Sequence, residues 1–360
     1  MRLGDFTHGR DNNIQLLRLL AAGAVMLFHS YVFTGNMGDD PVFVATRTTD
    51  SSVIGVGCFF VLSGFLVTRS WLTRPGFVAF AAARALRIYP ALFVAVALSI
   101  ALAATATMVP WRTFITSPVT FDFAWRNALA WEVRYVLPGA FVDNPYREAV
   151  NGSLWTLPVE LRLYIAVAIA GMAGLLARTD RCAALLVALV ALFAWKPEWL
   201  PLEPQSVGVR NLALLFGIGA LAYVARDRVP LSLAAFAVAV AMFIVNPWGA
   251  GRGVWFILTL AYGTLVLAYH PRIQWHAYNR VGDYSYGLYV YAFPVQQTIV
   301  AHVPGLAPIE LFGVSFAVTL ALAALSWHVL ERPALALKAR FGGRSADRLG
   351  AGEAAPQQNR

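Results

Sequence analysis

This sequence is short of charge: only 13% of its 360 residues are Asp, Glu, Lys or Arg, while 59% are hydrophobic. Soluble domains carry about 25% charged residues, so a soluble enzyme or binding module is excluded and an all-α polytopic membrane protein is expected. Cysteine is nearly missing as well. Cys58 and Cys182 both lie in apolar runs, which offers no disulfide framework and no metal site. Nor is there an internal repeat, an appended soluble domain, or a small-residue cleavage site behind the first apolar run. That run holds an internal arginine and reads as a retained helix, not a signal peptide. The net charge of +9 indicates no nucleic-acid partner; basic residues flanking membrane helices account for it.

What is present is a series of long apolar runs. A spanning helix needs about 20 apolar residues, and ten candidates meet or approach that length: 13–34, 51–72, 87–109, 154–177, 181–198, 208–225, 229–246, 253–270, 282–302 and 308–330. With the N-terminus inside, 18 of the 28 basic residues fall on inner segments and 8 on outer ones, Arg18 and Arg162 lying within helices. That bias places both termini in the cytoplasm. One outer loop, 110–153, is long. Its stretch "FDFAWRNALAWEVRYV" sets Trp125, Trp131 and Tyr135 on one helix face, as in an interfacial helix; it either covers the bundle or acts as a lid over an acceptor. Residues 10–335 form the expected transmembrane domain, and 336–360 are a polar, Gly-rich tail expected to be disordered.

Five stretches carry chemistry. The first is "LLRLLAAGAVMLFHSYVF", residues 16–33. Arg18 and His29 are eleven residues apart, three helical turns, so they share a face about 16 Å apart along the axis. Ionisable groups inside a membrane face a bundle interior or a water-filled cavity, and an imidazole suits proton transfer at neutral pH; His29 bonding to a neighbouring helix and Arg18 snorkelling is the plainer alternative. The second is "GCFFVLSGFLVTRSW", where Ser63-Gly64 reads foremost as a close helix contact. In the third, "FAAARALRIYPAL", Arg84 and Arg87 stand at i, i+3 at an inner helix entrance. This suits a phosphorylated ligand from the cytoplasm, although such pairs also anchor to lipid headgroups. The fourth, "NGSLWTLPVELRLY", puts Glu160 about 9 Å inside the outer boundary, near the depth of His29, where it could orient the imidazole or pair with another helix. Pro158 in this stretch can free a helical carbonyl. The fifth, "VGDYSYGLYVYAFPVQQ", is a polar helix with tyrosines and Gln296 and Gln297, fit to line a sugar site or to bond neighbours. His328 and Glu331 read as a structural cap.

Together and in this order, these stretches resemble the acyltransferase-3 family of membrane O-acyltransferases, over about residues 10–335. Its members acylate lipopolysaccharide, exopolysaccharide, peptidoglycan, Nod factors and macrolides. The resemblance implies that His29 is catalytic with Arg18 essential beside it and Glu160 in the same pore. It implies that Arg84 and Arg87, with Arg18 deeper, contact the phosphates of acyl-CoA, acetyl-CoA being the default donor. Ser63, Trp155, Tyr164, Tyr286, Tyr289 and Gln296 become acceptor-binding or pore-lining candidates. The implied partners are the bilayer of a bacterial cytoplasmic membrane, acyl-CoA, and a glycan or lipid-linked sugar; no tightly bound cofactor and no metal is implied. Many relatives carry a Trp-His pair where Tyr291-Ala292 stands here. His29 would serve either as general base or as an acylated intermediate. The competing expectations are a transporter using the same charged groups and an inactive scaffold.

Overall fold

The computed structural model of the chain describes residues 1–7, 12–196, 206–245, 251–275, 278–279 and 281–341. Each of the ten expected segments is a helix: Ile14–Phe33 (α1), Ser51–Thr73 (α2), Phe77–Ala104 (α3), Thr156–Met172 (α5), Thr179–Trp195 (α6), Val207–Val224 (α7), Leu233–Val245 (α8), Arg252–Tyr269 (α9), Ser285–His302 (α10) and Pro308–Ser326 (α11). An eleventh, Pro118–Leu129 (α4), lies in the long loop. A π-helical turn at Trp327–Glu331 leads from α11 into Arg332–Ala336 (α12) and Lys338–Phe341 (α13). Among the described residues, seven helices are long and apolar enough to cross a membrane. Helices α6 and α8 are shorter.

α10 is the hub. Every residue from Ser285 to Gln297 is buried, which explains how a helix rich in tyrosine and glutamine belongs in this bundle: its polar groups meet protein, not lipid. The Tyr286 hydroxyl donates to Ile88 O on α3 at 3.0 Å, and the Tyr291 hydroxyl to Ser326 Oγ on α11 at 2.8 Å. Gln296 Nε2 donates to Met26 O and Ser30 Oγ of α1 at 3.1 and 2.7 Å. Gln297 ties the long loop down through Tyr146 O and Ala149 O, at 2.8 and 2.7 Å.

Gly64 acts as its setting suggested. A Cβ there would sit 2.0 Å from Phe216 O, and one at Gly219 would sit 2.2 Å from Val61 O, so α2 and α7 cross with backbones touching. Cys58 accepts from Thr264 Oγ1 at 3.3 Å.

The bundle has two distinct ends. At the terminal end, Leu3 N and Gly4 N donate to Val229 O and Arg226 O, and Asn13 Nδ2 donates to Ile273 O. At the loop end, Arg252 reaches Thr46 O and Thr48 Oγ1. Three local expectations need correction. The aromatic face of the long loop is not one helix, because α4 stops at Leu129 with Ala130 in the left-handed region, leaving Trp131 and Tyr135 beyond it. α4 also does not lie flat over the bundle end. The Tyr89 hydroxyl donates to Leu129 O at 3.2 Å, about 18 Å along α3 from its first residue, so α4 runs back beside α3. Pro158 frees no carbonyl, since it stands in the first turn of α5, where backbone N–H groups have no helical partner anyway. Of the expected tail, residues 342–360 lie outside the described residues, while Lys338–Phe341 are helical and pack against α3.

Candidate active site

Three cavities follow one another through the bundle. The cavity at the terminal end, about 700 Å³, is lined by Gln15, Arg18, Arg69, Asp283, His328 and Arg332 among others. A central cavity of about 90 Å³ is lined by Arg18, Ser63, Arg84, Arg87, Glu160, Tyr164, Tyr286 and Tyr289. The third, toward the loop end, is about 550 Å³ and carries His29, Thr48, Ser52, Ser153, Trp155, Asn211 and Tyr289. Arg18 and Leu66 belong to the first two, and Val56 and Tyr289 to the last two. The series is therefore linked through shared walls.

The eleven-residue spacing on α1 places Arg18 at the first junction and His29 in the third cavity. His29 sits among rings: Phe293 edge-on at 5.0 Å, Phe33 stacked at 5.5 Å and Phe28 at 5.8 Å. Its Nδ1 is buried with no hydrogen-bond partner among the described residues. Trp155 and Tyr289 share its cavity; the Tyr289 hydroxyl lies 2.9 Å from Thr156 Oγ1.

The central cavity collects most of the other expected residues. Ser63 Oγ donates to Glu160 Oε1 at 3.1 Å, and the Tyr164 hydroxyl donates to the same oxygen. Glu160 thus belongs with Ser63 and Tyr164, not with His29. Arg84 and Arg87 share a face as their spacing requires, but their surroundings differ. Arg87 Nη2 donates to Asp283 Oδ2 at 2.6 Å and its Nη1 to Glu331 Oε2 at 3.4 Å. Arg18 Nη1 reaches the same Asp283 oxygen at 2.9 Å. Arg84 stands over the rings of Tyr164 and Phe80, at 5.7 and 5.9 Å. Its Nε is buried without a partner, and it makes no ion pair among the described residues.

Two expectations change here. Gln296 is a cross-link between α10 and α1 and lines none of the three cavities. Glu331 is no helix cap. It is a buried acid paired with Arg87 and held by Ser326 Oγ at 3.0 Å, while His328 lies 3.1 Å from the Tyr284 hydroxyl. Sequence reasoning also missed two residues. Asp283 had one signal, being the only acid between Asp227 and Glu310 and standing at the head of a polar helix. Lys338 fell in what read as tail. Burial first, then the positive fields of Arg84 and Arg87, lower its ammonium from the usual 10.5 to about 8.

The sequence matches a family described as an acyltransferase domain over residues 11–328. It is 29% identical to Nodulation protein 10 of Rhizobium leguminosarum bv. viciae, across 93% of this chain and 96% of that protein. It is 28% identical to an O-acetyl transferase of Shigella phage Sf6, across 94% of this chain and 98% of that one. No solved structure matches it significantly.

Proposed function

Because the chain belongs to this acyltransferase family and is an integral, multi-pass membrane protein, we propose that it moves an acyl group, acetyl by default, from acyl-CoA to a hydroxyl of a glycan or lipid-linked sugar. The observation that carries this reading is the cavity series, which has phosphate-competent arginines toward one end and a histidine toward the other. Arg84, Arg87 and Arg18 hold the donor's phosphates through forked, charge-assisted hydrogen bonds. The terminal end faces the cytoplasm of a bacterial inner membrane, in line with its excess of basic residues. The pantetheine arm spans the roughly 16 Å between Arg18 and His29, bringing the thioester to the third cavity. Hydroxyls, an amide and Trp155 around that cavity suit a sugar.

In the transfer, His29 takes the proton from the acceptor hydroxyl as its oxygen attacks the thioester carbonyl. The new ester C–O bond forms, the C–S bond breaks, and the departing CoA thiolate recovers the proton from the imidazolium. Glu160, Ser63 and Tyr164 line the narrow central passage and orient the arm. The deciding experiment supplies labelled acetyl-CoA and a panel of oligosaccharides to the protein in nanodiscs. The expected result is acceptor-dependent CoA release with label on the sugar. Solute uptake into proteoliposomes without CoA release would instead favour a transporter.

Lys338 adds a pH signature. The empty protein loses this charge as pH rises through about 8, whereas a bound polyanion favours the charged form. The donor KM is therefore expected to rise above pH 8 in the wild type and to stay flat in Lys338→Arg, whose side chain remains charged. An equal rise in both would remove Lys338 from the donor site.

A further inference from the structure

We infer that Asp283 is the resident anion of the phosphate subsite: in the empty protein its carboxylate bridges Arg18 and Arg87 across the mouth of the central cavity, and a phosphate-bearing donor binds by taking its place on these guanidiniums. The inference rests on the donor reading above and adds to it an acid that governs donor affinity.

The geometry is that of a bridge between helices. Arg18 of α1 and Arg87 of α3 both donate to a single oxygen, Asp283 Oδ2, at 2.9 and 2.6 Å. The other oxygen, Oδ1, is held from its own side by Ser285 Oγ at 2.5 Å and Ser285 N at 3.3 Å, at the start of α10. Three helices are thus joined through one carboxylate, at the junction where Arg18 lines both the terminal-end and the central cavity. The central cavity, about 90 Å³, is the smallest of the three, so the bridge stands at the narrow step of the donor's path.

Charge explains why the bridge should yield. Around the central cavity, Arg18, Arg84 and Arg87, with Lys338 near the latter two, face Glu160, Asp283 and Glu331, so the acids offset most of the positive charge. A polyanion entering this cluster gains more once an acid withdraws. Glu331 has no such freedom: it is 1% exposed, held by Ser326, and lines none of the three cavities. Asp283 borders the 700 Å³ cavity and can swing into it, near Arg69 and Arg332 of the same wall. A phosphate presents the same acceptor oxygens to a guanidinium as a carboxylate does, so it fits the place left open. Arg84, already without an ion pair among the described residues, lines the central cavity beyond the bridge and offers a further contact once the donor has passed it.

The test is calorimetric binding of CoA to the full-length protein in nanodiscs, with donor KM and kcat measured beside it. Asp283→Asn is expected to bind CoA 10- to 100-fold more tightly than the wild type and to lower the donor KM without raising kcat. Its empty form should melt earlier and be stabilised more by CoA. Ser285→Ala is the milder variant if Asp283→Asn fails to fold. It keeps the acid but loosens its anchor, and CoA binding should tighten about 3- to 10-fold. Glu331→Gln should change CoA affinity less than either. CoA binding to the wild type that stays unchanged or weakens in both the Asp283 and Ser285 variants overturns the role of Asp283 alone. No CoA binding by any form overturns the donor reading and this inference with it.

Discussion

His29→Ala is expected to stop acyl transfer while leaving the donor bound. Removing a general base costs about 10²- to 10⁴-fold in rate, or roughly 3–5 kcal/mol of barrier at about 1.4 kcal/mol per tenfold. Donor affinity should stay within about twofold, because Arg18 lies about 16 Å away along α1 and Arg84 and Arg87, on α3, line the central cavity, which His29 does not. The fold should survive as well. The ring borders an open cavity and makes no hydrogen bond through Nδ1 among the described residues, so its loss strands no polar partner. CoA release and CoA binding, measured on one preparation, separate the two effects. Label that stays on wild-type protein but not on His29→Ala would show an acyl-imidazole in place of direct transfer. A variant that retains transfer within about threefold would remove His29 from the chemistry, and parallel loss of CoA binding would make it structural.

The sequence allowed some of this to be read and hid the rest for identifiable reasons. The pairing of Arg18 with His29 along one face follows from helix periodicity alone, and so does the common face of Arg84 and Arg87. The apolar runs were legible because a membrane imposes length and composition on its helices. Depth was not legible. Glu160 was placed beside His29 by counting from the start of an apolar run, as if that start marked the membrane boundary. In the structure Asn151 Nδ2 donates to Val290 O at 3.0 Å, only five residues from the start of α10 at the opposite end. The long loop dips into the bundle, α5 begins deep, and Glu160 lands in the central cavity. Long-range partners were equally hidden. Asp283 meets residues 265 and 196 positions away in the chain, and the Gln296 that read as pore lining was spent on the α1 backbone. Lys338 was lost to its composition, since a lysine in a polar C-terminal stretch carries no sign that the chain turns back onto α3.

Arg84 and Arg87, equivalent in the sequence, should behave differently when each is removed. Arg84→Ala is expected to raise the donor KM about 10- to 100-fold with little change in kcat, the result of losing a charge-assisted phosphate contact of about 1.5–3 kcal/mol that binds ground and transition states alike. Its melting temperature should barely move, because Arg84 gives up only its positions over Tyr164 and Phe80, about 0.5–1 kcal/mol where partly exposed. Arg87→Ala should instead destabilise the protein. It leaves Glu331 buried without its cation and Asp283 with Arg18 alone, and breaking a buried ion pair from one side costs about 3–5 kcal/mol. The double variant Arg87→Ala/Glu331→Gln, which removes the stranded charge, should recover part of that loss. Thermal melts and donor KM values across the four proteins decide the matter. If the two single variants fall together in stability, the distinction between a free and a paired arginine is wrong. If Arg84→Ala leaves the donor KM unchanged, the unpartnered guanidinium is not a phosphate contact. The difference is set by what faces each residue across the bundle, one an open cavity and two rings, the other two carboxylates. An i, i+3 spacing fixes the direction in which a side chain points but not the charge it meets there.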